Sequence, residues 1–66
     1  MIMKEVSSSR MSKVGWENNT LYVQFKNGVV YAYENISENE YINFISSPSL
    51  GSELSKLDKF HNYYIL

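Results

Sequence analysis

Cysteine is absent from the 66 residues, which excludes a disulfide framework and a thiolate zinc site as sources of stability. One histidine, His61, cannot build a histidine metal cluster, and one proline, Pro48, leaves most of the chain free to form ladders and helices. The three glycines, Gly15, Gly28 and Gly51, lie too far apart to make a phosphate-cradling loop. A basic surplus is also missing. Lys and Arg total 6 against 7 Asp and Glu, for a net charge of -1, whereas a nucleic-acid binder usually carries excess cations for phosphates. No apolar run approaches the roughly 20 residues of a membrane span, and Met1-Ile2-Met3-Lys4-Glu5 lacks the apolar core of a signal peptide. Together with the missing cysteine, these features predict a cytoplasmic protein without cofactor, metal or membrane partner.

What is present argues for folding. Apolar residues at 44% and charged residues at 20% are a globular balance, not a disordered one. The chain is long enough for one domain over residues 1–66, and chains of this size bury only about 60% of their unfolded surface. Aromatic residues reach 15%, and six of them are tyrosines. So thin a core does not bury all six, so some tyrosines are expected at a contact surface.

The segment 1–6 reads as a frayed tail or an edge strand, broken by Ser7-Ser8-Ser9, with order expected to begin after the serines. Val14-Gly15-Trp16-Glu17 predicts a first strand, and Asn18-Asn19 a turn that tolerates left-handed backbone. Leu21, Val23 and Phe25 then alternate with Tyr22, Gln24 and Lys26, the period of a strand with one buried face. Asn27-Gly28 follows, and Val29-Val30-Tyr31-Ala32-Tyr33 returns, which predicts a β-hairpin. A two-residue loop would put Tyr31 and Tyr33 on the face of Tyr22 and Gln24. A three-residue loop, Lys26-Asn27-Gly28, would pair Phe25 with Val29 and send both tyrosines to the aliphatic face. We favour the second.

Ser37 as N-cap, Glu40 as its capping-box partner and Ile36 as a staple onto Tyr41 predict a helix over about 37–46. Its stripe of Tyr41, Ile42, Phe44 and Ile45 is expected to lie across the sheet, and Ser46-Ser47-Pro48 ends it. Leu50, Leu54 and Leu57 at helical spacing predict a second helix over about 50–59. The aromatic and β-branched close, Phe60 to Leu66, predicts a last strand. The fold class is therefore α+β, with a three- or four-stranded antiparallel sheet carrying two helices.

The order of these signals resembles a known family. Gly15-Trp16, Leu21-Tyr22-Val23-Gln24-Phe25-Lys26-Asn27-Gly28, the central Tyr31-Ala32-Tyr33, and a helix leading into Ser47-Pro48-Ser49-Leu50-Gly51 look like a KTSC domain over roughly residues 5 to 64. This module is named after the C-terminus of some lysyl-tRNA synthetases and also occurs as a free-standing small protein. The resemblance implies a compact α+β fold and a binding role, with RNA as a partner suggested by the synthetase context.

No serine lies in a nucleophile elbow, and His61 has no triad partner in sequence, although Glu53 and Asp58 are placed to approach it. No catalytic residue is expected. The candidate binding residues are Tyr31, Tyr33, Tyr22, Trp16, Tyr63 and Tyr64. For Tyr31 and Tyr33, packing in the core competes with service as an exposed platform. The leading expectation is a non-enzymatic protein-interaction or inhibitor module of the kind mobile elements and phages carry, binding another protein or a second copy of itself. RNA binding through exposed tyrosines and a small nucleotide ligand at a homodimer seam remain open alternatives.

Overall fold

The computed structural model describes residues 2–66, so Met1 of the first segment lies outside the described residues. Five strands form one antiparallel sheet in chain order: β1 (Lys4–Glu5), β2 (Met11–Glu17), β3 (Thr20–Phe25), β4 (Val30–Tyr33) and β5 (Tyr63–Ile65). Two helices, α1 (Glu38–Ile45) and α2 (Leu50–Phe60), lie between β4 and β5 in sequence. The class is α+β as expected, but the sheet has five strands, not three or four. The extra strand is β1, paired Lys4 to Val14 and Glu5 to Lys13, so order begins before the serines. Ser8 makes the link compact: its hydroxyl accepts from the backbone N–H groups of Arg10 and Met11 at 3.2 and 3.3 Å.

β2 also starts three residues earlier than Val14. A bulge between Met11 and Lys13 shifts its register against β3. Strict alternation is lost there, and Met11 and Val14 both reach the core, which a period of 2 does not allow.

The two hairpins solve the same problem differently. At Asn18-Asn19 both residues have positive φ, 51° and 58°, and Glu17 pairs with Thr20, giving a two-residue turn whose twist suits the strands. At the second hairpin only Gly28 is left-handed, with φ 93°. The Phe25 N–H donates to the Val29 carbonyl and the Gly28 N–H to the Phe25 carbonyl, both at 2.9 Å. This is the three-residue loop, and it sets Val23 opposite Tyr31 and Leu21 opposite Tyr33. The central tyrosines therefore share the aliphatic face.

That face carries the core. Met11, Val14, Leu21, Val23 and Tyr33 from the strands meet Ile36, Phe44 and Leu54 from the helical half. Each such aliphatic side chain, once fully buried, is worth about 1.5–3 kcal/mol. α1 begins with the complete capping box: the Glu40 N–H donates to the Ser37 hydroxyl, and the Ser37 N–H to the Glu40 carboxylate, both at 3.2 Å. Ile36 is fully buried and Tyr41 packs against the core, as the staple requires. Ile42 departs from its expected stripe and is 47% exposed, because Tyr41, Phe44 and Ile45 form the face packed on the core and Ile42 lies about 100° round the helix from the middle of that face. In α2, Leu54 is buried, with Leu50 and Leu57 packed beside it.

Candidate functional site

Register places the six aromatic candidates before any side-chain contact is considered. Residues paired across strands share a face, so Tyr31, Tyr33, Tyr63 and Trp16 point to the helix side with Leu21 and Val23. Tyr22, Ala32 and Tyr64 form a cross-strand row on the opposite side. Thus the six do not make one patch.

Three of them come together. Tyr31 and Tyr63 stack with ring centroids 5.3 Å apart and planes 12° from parallel, and Tyr33 approaches Tyr63 at 5.1 Å. Phe25 meets Tyr31 edge-on at 4.9 Å, and the Arg10 guanidinium lies 5.9 Å over the Phe25 ring. The result is an open trough of about 690 Å³ with an aromatic floor. Arg10 and Lys26 stand at its rim, with Asp58 and Ile65 also lining it.

Burial divides the two central tyrosines. Tyr33 is 1% exposed, and its hydroxyl donates to Asp58 Oδ1 of α2 at 2.6 Å. Burial pushes its pKa well above the usual tyrosine value, and the bond to Asp58 adds to the rise by holding the proton on the phenol. Tyr31 is only half-buried, and Tyr63 is 45% exposed. Tyr33 is thus a core residue with a polar anchor. Tyr31 and Tyr63 are the accessible platform.

A KTSC domain model matches residues 7–65 of the chain. The chain belongs to the KTSC domain family. Among curated proteins, no sequence matches it. In this KTSC domain the central Tyr-x-Tyr therefore has two different jobs, one ring fixing the sheet to α2 and the other flooring a trough.

Trp16 lies on the helix side but away from the trough. Its Nε1–H donates to the Ile36 carbonyl at 2.7 Å, and its ring stacks on Tyr41 at 6.3 Å, so it fastens α1 to the sheet. His61 is also structural, with partners other than those expected. Its Nδ1 lies 3.1 Å from the Glu34 carbonyl and its Nε2 3.1 Å from Glu40 Oε2, while Glu53 pairs instead with Lys56 and Asp58 with Tyr33. The backbone bond from Ser37 holds the Glu40 carboxyl below its usual range, and His61 deepens this. Among the described residues, no group of three or more His, Cys, Asp or Glu side chains is arranged to hold a metal, and no helix is long and apolar enough to cross a membrane.

Sequence reasoning missed Phe25, Arg10, Asp58 and Ile65 as trough residues. Phe25 and Ile65 were legible as strand residues, and the three-residue loop is what brings Phe25 beside Tyr31. For Arg10 and Asp58 no sequence signal existed, since each reaches the trough from an element distant in the chain.

Proposed function

We propose that this KTSC domain is a non-enzymatic binding module of the cytoplasm that receives a protein partner in the trough floored by Phe25, Tyr31 and Tyr63. The observation that carries this reading is the half-exposed Tyr31–Tyr63 stack, an apolar, tyrosine-rich surface of the type that forms the centre of protein interfaces. The rim charges favour the same reading. Arg10 and Lys26 are balanced in part by Asp58, so the trough lacks the uniform positive field that a phosphate backbone calls for. Asp58 also stays close to the floor through its bond to Tyr33, which disfavours an anionic strand lying there.

The test is capture of partners from a cell lysate with the chain immobilised, with and without RNase. Retention of the same proteins after RNase supports the reading. Their loss with the RNA, or direct tRNA binding with a steep salt dependence, replaces it with the RNA-binding alternative.

A further inference from the structure

The two edges of the sheet are unlike. β1 ends the sheet with Lys4 and Glu5, charged residues of the kind that blunt an edge against further pairing. β5 ends it with Tyr63-Tyr64-Ile65, which carries no charge, proline or bulge, and all three side chains are exposed. Among the described residues no strand lies beyond it.

The hydrogen bonds of β5 show which of its backbone groups are used. The Glu34 N–H donates to the Asn62 carbonyl at 2.8 Å, and the Leu66 N–H to the Val30 carbonyl at 2.9 Å. In an antiparallel ladder the inward-bonded residues alternate, so Asn62, Tyr64 and Leu66 face β4. The N–H and C=O groups of Tyr63 and Ile65 consequently point away from the sheet: two donors and two acceptors along an uncharged edge.

We propose that β5 pairs with β5 of a second copy of this chain, antiparallel about a two-fold axis at Tyr64. In this register Tyr63 of each copy exchanges both backbone bonds with Ile65 of the other, so all four outward groups find partners. Such an interface is isologous, the same patch serving both sides. Without charge on β5, the copies meet without like-charge repulsion, whereas any β1 to β1 contact would have to place its Lys4 and Glu5 against each other's in a fitting register. The pairing also continues the trough. Tyr63 and Ile65 lie on its floor and wall, so the troughs of two copies run into one another across the axis. The proposal rests on the edge alone and does not depend on what the trough binds.

Sedimentation of the full chain over a series of concentrations measures the pairing, and two substitutions fix its geometry. In Ile65→Pro the monomer keeps its ladder, since the Ile65 N–H does not face β4, but the edge loses a donor and meets a steric block. Tyr64→Cys introduces the chain's one cysteine at the axis, where paired Cα atoms sit about 4.5 Å apart, within disulfide reach. Tyr63→Cys is instead offset from its own copy by two residues, about 7 Å along the strand, and is out of reach.

The expected result is a concentration-dependent dimer that Ile65→Pro abolishes, with rapid oxidative cross-linking of Tyr64→Cys and little of Tyr63→Cys. A monomer at every concentration overturns the pairing, as does a dimer that survives Ile65→Pro in a folded chain or cross-links equally at both positions. Should Ile65→Pro fail to fold, the contrast between the two cysteine variants decides. A monomeric chain that still binds a partner through the trough overturns only this pairing. A dimer whose partner ignores trough substitutions overturns only the protein-binding reading.

Discussion

The hydroxyl of Tyr33, buried on the helix side of β4, donates at 2.6 Å to Asp58, an exposed carboxylate on α2. The bond joins the C-terminal half of α2 to the end of β4, the strand beside the β5 edge. It also marks where the covered core ends and the open trough begins, because Asp58 lines that trough.

The two ends of this bond are not equivalent in energy. Tyr33→Phe removes the buried hydroxyl and leaves Asp58 to water, so the expected loss is about 1 kcal/mol. Asp58→Ala strands a buried hydroxyl without a partner, and the expected loss is larger, about 1–3 kcal/mol. Urea unfolding of both variants checks the order: truncating the exposed residue costs more than trimming the buried one.

Gly28 carries the left-handed position of the three-residue loop, with φ 93° and open space where a Cβ would stand. Gly28→Ala therefore costs backbone strain without a clash, about 1 kcal/mol, and Gly28→Asn costs less because asparagine tolerates this region. Thermal unfolding of the pair measures both values.

Glu40 supplies the pH dependence. Its carboxyl is held below the usual range by the Ser37 N–H and by His61, so the folded state binds this proton less tightly than the unfolded chain does. The stabilisation is present above the unfolded carboxylate value of about 4.3 and is lost as pH falls through the lower folded value. Both ring nitrogens of His61 face oxygen acceptors, so both contacts are hydrogen bonds when the ring carries two protons. Glu40→Gln keeps the capping geometry without the charge. Its stability deficit against the parent chain is expected to shrink as the solution is acidified from about pH 6 to about pH 3, measured by melting temperature.

Much of this fold is legible in the sequence because local rules and tertiary packing agree. The alternation of Leu21, Val23 and Phe25 fixes the inner face, Asn27-Gly28 fixes the second hairpin, and Ser37 with Glu40 fixes the start of α1. Legibility fails where the ladder is irregular. The bulge at Met11 to Lys13 hides the start of β2, and β1 is too short to show a period. The site fails for a different reason. Tyr31 and Tyr33 have the same residue type, strand and face, yet Tyr33 is buried and bonded to Asp58 of α2 while Tyr31 stays half-buried in the open trough. That distinction belongs to packing between distant elements, as does the approach of Arg10 and Asp58.

The most direct test of the account compares substitutions on the two sides of the sheet for binding to a partner captured from lysate in the presence of RNase. Tyr31→Ala and Tyr63→Ala, on the trough floor, are expected to weaken binding by about 2 kcal/mol each, roughly thirtyfold, as central interface tyrosines do. Tyr22→Ala, on the opposite face, is expected to leave affinity within about threefold. Equal losses on both faces, or loss confined to Tyr22→Ala in a folded chain, would contradict the trough as the binding surface.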